Sequence, residues 1–376
     1  MSELPDRKQD ILRLLGILER SDTFHGHTFQ ARAYTKVMGQ IKELPAVRTM
    51  SDVAGVKGVG KEIKLKIETI LATGTLPSAE QAGANPQFTA YSALLGVYGV
   101  GPVKAKALID SGILTIEALK AEVARNPKLL TAAQKLGLQY YEDTQERIPR
   151  AEMVMHNDVL RRAFTVVGLQ MEVVGSYRRG LASSGDIDCL VTGSAGMSRE
   201  TIQGAFRVVV EGLIASGYIV GVLARGDAKT LAYAKHGETA RRLDLLLTAP
   251  EEYPYAVLYF TGSDLFNIAM RSWALERGYT MNEHSMTPVS ADKPAPPLMR
   301  SEEDIFAFLG LQYVAPTARV DGSQIRSVSR PPTPVIVPSK TIKLKLKKVI
   351  APEPEPEPLP EPTIPLKKLK LKLKKE

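Results

Sequence analysis

The chain has 376 residues, 44% of them hydrophobic, which is enough for two or three folded domains with sizeable cores. Its single cysteine, Cys189, excludes an internal disulfide and any cysteine-cluster zinc site, and fits a reducing compartment. The formal charge of +8 invites a nucleic-acid reading, but residues 330–376 carry 12 Lys and Arg against 5 Glu, so +7 of it sits in the tail and the body is nearly neutral.

The first residues are polar and charged, unlike a signal peptide, and no run of about 18 apolar residues occurs, so an intracellular protein with no membrane partner is expected. Its place is the nucleus in a eukaryotic host, or the virion or infected cell for a viral one. Residues 8–75 read as helical: Ile11, Leu14, Leu15 and Ile17, then Val37, Ile41 and Leu44, recur at helical spacing, and Gly74 is a stop signal. His25 and His27, two apart in a loop-like stretch, lack good metal-ligand spacing. Residues 88–140 read as short helices with Gly-rich turns. From about 153 the pattern becomes strand-like at Val173–Val174, Ile187–Thr192, Tyr218–Val222, Thr230–Ala234 and Leu243–Leu247, with helices at 199–216 and 263–277 between. The fold class is therefore α+β, helical first and mixed afterwards. Division is expected at 1–82, 83–150, 151–250, 251–326 and 327–376. The last segment has two basic near-repeats, 340–348 and 366–375, around an alternating Pro/Glu spacer at 351–362. It is expected to be disordered until it meets an anionic protein or DNA partner.

Two glycine turns suggest contact with a nucleic-acid backbone. Gly58-Val59-Gly60 and Gly99-Val100-Gly101 each follow a short apolar segment and open a helix. Without a Cβ, backbone amides and the helix N-terminus can approach a phosphate oxygen, positioning DNA without reading its sequence. One such turn is weak evidence, since tight helix connections use glycine too. Two in the same flanking pattern, as in helix-hairpin-helix motifs, favour DNA.

The most specific feature is Gly175-Ser176-Tyr177-Arg178-Arg179-Gly180, followed by Gly185-Asp186-Ile187-Asp188. A small-residue turn after a strand can cradle a triphosphate. Asp186 and Asp188, two apart on a strand, are expected to project from one face. Paired carboxylates repel unless a cation sits between them, and hard oxygen ligands beside a phosphate imply magnesium. Asp244, in a second β-like run, supplies a third carboxylate of the kind that two-metal phosphoryl transfer needs. A solvated edge strand would explain Asp-x-Asp alone, but not the upstream turn together with the later aspartate.

In this combination the chain resembles the family X DNA polymerases, of the polymerase beta type, from about residue 10 to about 320. Further matches are Gly137-Leu138-Gln139-Tyr140-Tyr141, Arg147-Ile148-Pro149-Arg150, Tyr259-Phe260-Thr261-Gly262-Ser263-Asp264, Asn267, Arg271 and Asn282-Glu283. The resemblance implies a helical lyase domain with a helix-hairpin-helix motif, a second such motif in a fingers-like subdomain, a nucleotidyltransferase-type palm and a nucleotide-selecting C-terminal subdomain. It implies two magnesium ions on Asp186, Asp188 and Asp244, and leaves room for a monovalent cation at the hairpin turns. Asp244 would accept the primer hydroxyl proton, tuned by Arg242. Arg147, Ser176, Arg179 and Gly185 would meet the nucleotide's phosphates. Tyr259 and Phe260 would check its sugar, Gly262 would also meet the nucleotide, Asp264 would pack on its base, and Asn267 would reach the minor-groove edge. Gly58, Gly60, Lys61, Lys64, Gly99, Gly101, Lys229, Arg242 and Arg271 would contact DNA.

The resemblance also implies a 5′-deoxyribose phosphate lyase acting through a Schiff base on Lys66. Two departures stand out: Leu65 replaces the acidic residue common before that lysine, and His284 stands where tyrosine is common. Lys61 and Lys64 are expected to bind phosphate or to make Lys66 easier to deprotonate. His284 is expected to alter nucleotide discrimination. The function implied is template-directed filling of short gaps in base-excision repair, from gapped or nicked DNA and deoxynucleoside triphosphates. The alternatives are a template-independent terminal transferase and a non-catalytic DNA-end scaffold.

Overall fold

A computed structural model describes residues 4–328 apart from 43 and 45; the basic and Pro-rich tail expected beyond 327 falls almost entirely outside the described residues. The first helices are α1 (Lys8–His25), α2 (Thr28–Lys42), α3 (Lys61–Thr73) and α4 (Pro77–Gly83). Ile11, Leu14, Leu15 and Leu18 form one buried stripe of α1, which packs with Val37 and Ile41 of α2 and Ile63, Ile67 and Ile70 of α3. Helix α1 ends where Gly26 turns left-handed at φ 81°, and α3 ends at Gly74 in the same way, φ 75°. A second apolar cluster joins α5 (Pro86–Leu95), α6 (Pro102–Asp110), α7 (Ile116–Arg125) and α8 (Ala132–Gln139), with Phe24 of α1 reaching into it. The short helix α9 (Tyr141–Gln145) then leads to the sheet region.

The mixed region comprises β1 (Ile148–Pro149), α10 (Arg150–Thr165), β2 (Gln170–Val173), α11 (Gly175–Arg178), β3 (Ser183–Ser184), β4 (Ile187–Thr192), α12 (Arg199–Ala215), β5 (Ile219–Arg225), β6 (Lys229–Lys235) and β7 (Ala240–Thr248). Five strands form a sheet in the order β2-β4-β7-β6-β5, while β1 and β3 pair separately. Strands β4 and β7 run parallel and the other neighbours antiparallel. The central strands are apolar on both faces because both are covered. Ile187, Cys189, Val191, Leu243 and Leu245 face α10 and α12, while Leu190 and Leu246 face a second cluster with Ala256 and Val257. Asp188 alternates with Leu190, and Asp244 with Leu246, so both carboxylates share that second face.

The C-terminal part contains α13 (Tyr253–Thr261), α14 (Asp264–Glu276), the hairpin of β8 (Tyr279–Met281) and β9 (Met286–Pro288), and α15 (Glu302–Phe308). Its core includes Phe266, Met270, Met281, Ile305 and Phe306. No described helix is long and apolar enough to cross a membrane. The five strand-like runs and the two helices between them lie within or beside observed elements. One expectation needs correction. Asp186 is not in a strand; it lies in the bend before β4, because the chain leaves its β1 partner at Ser184 and joins the main sheet only at Ile187. Alternation along one strand therefore does not account for its side chain.

Candidate active site

The parallel register of β4 on β7 sets Asp188 directly opposite Asp244. Helix α11 enters from β2 at Gly175, whose φ is 59° and where a Cβ would lie only 2.8 Å from Asp188 Oδ2. A side chain there would collide with the carboxylate, so glycine lets the turn close over it. Burial, then the negative charges of Asp186 and Asp244, push the Asp188 carboxyl up to about 7. Burial and Asp244 also raise Asp186. Arg242 Nη2 donates to Asp244 Oδ1 at 2.9 Å, and although burial disfavours its charge, Asp244 and Asp186 hold the guanidinium above its usual range.

Among the described residues, no three His, Cys, Asp or Glu side chains are drawn into a ready-made metal cage. One oxygen of Asp244 is instead taken by Arg242. The donor chemistry still fits a divalent cation: three carboxylates act on one another across a face where burial and mutual repulsion raise two of them. A cation there would cancel that repulsion, and hard oxygen donors suit magnesium.

Around these carboxylates stand the polar groups expected to meet a nucleotide. Ser176 Oγ donates to Ser184 Oγ at 2.9 Å, and Arg147 is folded onto Ser183 through Nε to Oγ at 2.8 Å and Nη2 to the carbonyl at 2.7 Å. Gly185, between Ser184 and Asp186, has Arg147 Nη1 3.9 Å from where its Cβ would stand. Arg179 Nη1 donates to the Thr261 carbonyl at 2.6 Å. Burial lowers that guanidinium, while Asp264 and Asp188 oppose the shift, so its charge acts on both. Gly262, at φ 66°, leaves room for the same guanidinium. Tyr259 and Phe260 meet edge to face at 5.2 Å. Tyr259, Asn267, Arg271 and Asn282 line one cleft with Tyr255 and Met281. Within it Asn267 Nδ2 donates to the Tyr259 carbonyl at 2.6 Å, so in this state it braces the aromatic pair. Asp264 is exposed at the start of α14. Lys229, exposed at the start of β6, acts on Asp188 through its charge.

The two glycine turns share one geometry. Gly58 and Gly99 have φ of 99° and 78°, which the turn demands. Gly60 and Gly101 cap α3 and α6, and a Cβ at either would meet nothing within 4 Å. The protein's own packing therefore does not require glycine there. Lys61 and Lys64 are exposed on α3.

Lys66 sits on the same helix, partly buried, with Nζ 3.7 Å from Glu62 Oε2 one turn back. Lys64 turns to Glu68 at 3.9 Å, and the carboxylate of Glu62 meets Lys66. His284 packs toward Glu252. Its Nδ1 lies 3.1 Å from Glu252 Oε2, so the ring is turned to the N-terminus of α13, while Asn282 lines the cleft.

Sequence reasoning missed the residues that bind the site to its surroundings. Arg178 reaches Glu172 at 2.6 Å, Thr261 Oγ1 at 2.9 Å and the buried Glu302 at 2.8 Å. Its neighbour Arg179 drew attention instead, and nothing local marks Glu302 as its partner. Tyr98 carries no local signal either, yet its ring lies 5.3 Å from the Arg242 guanidinium.

Comparison with known proteins gives three matching family models. Residues 92–145 match the fingers domain of DNA polymerase lambda, 147–250 the DNA polymerase beta palm, and 256–320 the DNA polymerase beta thumb. DNA polymerase lambda of Arabidopsis thaliana is 28% identical over 335 residues, 84% of this chain and 62% of the relative. DNA polymerase lambda of Rattus norvegicus is 28% identical over 332 residues, 82% and 56%. The chain thus spans roughly three fifths of the length of these relatives.

Proposed function

We propose that this chain, which belongs to the polymerase beta type of the family X DNA polymerases, is a template-directed DNA polymerase that fills short gaps during base-excision repair. The observation that carries this reading is the register of Asp188 against Asp244, with the Gly175 turn closed over Asp188. A DNA-end scaffold would have no use for that cluster of mutually repelling carboxylates. A terminal transferase is disfavoured because β5 passes to β6 through Gly226, Asp227 and Ala228 alone, leaving no long palm loop to displace a template.

Asp186, Asp188 and Asp244 would hold magnesium. Bound there, it supplies charge neutralisation for the triphosphate and acidifies the primer hydroxyl. The chain's own groups do the remainder. Ser176, Arg179 and the amides of the Gly175 turn bind the β and γ phosphates, and Arg147 swings from Ser183 to join them. Tyr259 and Phe260 present their backbone to the sugar and crowd a 2′-hydroxyl. Asp264 packs on the base, with Asn267 and Arg271 toward the nascent pair and template. Asp244 takes the proton as the primer 3′-oxygen bonds to the α-phosphorus and the bond to pyrophosphate breaks. The two hairpins and Lys229 hold the duplex backbone.

The test is extension of a primer across a one-nucleotide gap with magnesium, beside matched blunt and single-stranded substrates. Templated, single-nucleotide addition on the gap should exceed addition to either control by at least about tenfold. Equal untemplated addition to single strands would sink the template-directed reading.

The same reading includes a deoxyribose phosphate lyase with Lys66 as nucleophile. Its support is the partly buried setting of Lys66 on the helix that Gly60 caps, with Glu62 one turn back. Borohydride trapping on an incised abasic site is expected in the native chain and lost in Lys66→Ala. Undiminished trapping in the variant would move the nucleophile elsewhere.

A further inference from the structure

We propose that Tyr98 is a positioning residue for nucleotide addition, coupling the second hairpin to Asp244 through Arg242; this rests on the polymerase reading. Tyr98 immediately precedes Gly99, whose positive φ makes the hairpin turn. Its ring packs beside Leu136, Tyr140 and Tyr233. The guanidinium carbon of Arg242 lies over that ring at 5.3 Å from its centroid. On its other side Arg242 donates to Asp244 Oδ1 at 2.9 Å, and its buried Nε has no hydrogen-bond partner. The aromatic face and the carboxylate are therefore the contacts that fix this guanidinium.

The coupling is stiff at both ends. A Cβ on Gly137 would stand 2.8 Å from the Cβ and backbone nitrogen of Tyr98, so α8 is pressed against the turn. Gln134 Nε2 donates to the Gly99 carbonyl at 2.6 Å, tying the same helix to the hairpin tip. Tyr233, which flanks the ring, is the register partner of Arg242 across β6 and β7. A shift of the hairpin therefore shifts the ring, and a shift of the ring changes how far Arg242 leans on Asp244.

The attraction of a cation for an aromatic face competes with its ion pair. With the ring in place, Arg242 is shared, and Asp244 can be released to a cation and to the primer hydroxyl. With the ring removed, the guanidinium closes onto the carboxylate. DNA seated on Gly99–Gly101 fixes the ring and thereby prepares the carboxylate.

The test uses the full chain. Tyr98→Leu keeps an apolar side chain without an aromatic face; Tyr98→Phe keeps the face without the hydroxyl. On a one-nucleotide gap, Tyr98→Leu is expected to lower the maximal rate about tenfold while the KM for the nucleotide stays within about twofold. Manganese binding to the protein–DNA complex without nucleotide, followed by electron paramagnetic resonance, should weaken several-fold in Tyr98→Leu and recover in Tyr98→Phe. Native rate and native manganese affinity in Tyr98→Leu would overturn the inference, as would losses that Tyr98→Phe fails to restore. Should Tyr98→Leu not fold, Tyr98→Phe decides: native manganese affinity sustains the inference and weakened affinity overturns it. If the native chain extends no primer, the polymerase reading falls and this inference with it. If the native chain extends and Tyr98→Leu matches it, only this inference falls.

Discussion

Replacing Asp188 with asparagine is expected to reduce primer extension on a gapped duplex by on the order of 10³-fold or more, while making the metal-free protein more stable at pH 8. The two effects have one cause. Asp188 is pressed between the Gly175 turn and two other carboxylates, and its carboxyl is raised to about 7. In the unfolded chain it ionises near its ordinary value of 3.8. Between those values the folded state binds more protons than the unfolded state, so stability falls as pH rises through that window. Above about 7 the full cost remains, up to about 4 kcal/mol from the size of the shift. Asparagine keeps the shape and removes the charge, so the cost disappears along with the cation ligand. Urea unfolding of both proteins in chelator, at pH 5 and pH 8, checks the stability half. The variant's advantage should be larger at pH 8. An advantage no larger at pH 8 than at pH 5 would mean that Asp188 is not held against its neighbours. A variant that still extends primers would remove it from the reaction.

Much of this site was legible in the sequence because its signals are local. The Gly-Ser turn, the Asp-x-Asp pair and the later strand aspartate each carry a short-range reason for their residue types. The helices of the first half were legible for a similar reason: apolar residues recur at helical spacing and glycines stop the chain. The placement of Asp186 was read wrongly because a two-residue spacing fits either one continuous strand or a strand with a bend ahead of it. Only the pairing of β1 with β3 decides between them, and that pairing spans 36 residues between Ile148 and Ser184. The carboxylate beside Lys66 is local, but helical geometry selects it. Lys61, Glu62 and Lys64 all lie within five residues of the lysine, and of these Glu62, four back, is its neighbour. Partners far apart in the chain were illegible: no local pattern links Arg178 to Glu302, or Tyr98 to Arg242.

Removing Glu302 is expected to be the most damaging single change outside the cluster of Asp186, Asp188 and Asp244. The residue begins α15 and is only 4% exposed. Its carboxylate accepts from Arg178 Nη2 at 2.8 Å and from Arg319 Nη1, and Tyr313 adds a hydroxyl at 3.4 Å. Arg319 is 1% exposed, enclosed by the rings of Phe266, Phe306 and Tyr313, with its Nη2 already lacking a partner. A buried guanidinium without a counter-charge costs far more than the ion pair gains, so Glu302→Ala should lose about 3–5 kcal/mol in urea unfolding. Arg178 is less dependent, because Glu172 holds its Nε at 2.6 Å. Two comparisons separate charge from packing. Glu302→Gln keeps the shape and some acceptor capacity, and should lose less than Glu302→Ala. Glu302→Leu combined with Arg319→Met removes both charges and should recover much of the loss, since the cavity is already lined by aromatic rings. Equal losses in Glu302→Ala and in the double variant would show that volume, not the stranded charge, sets the cost. Activity should follow a different order. Arg178 adjoins Arg179, and both are tied to Thr261. Even the double variant is therefore expected to extend primers more slowly than the native chain, because it restores the core without restoring the tether that orients the turn carrying Arg178 and Arg179.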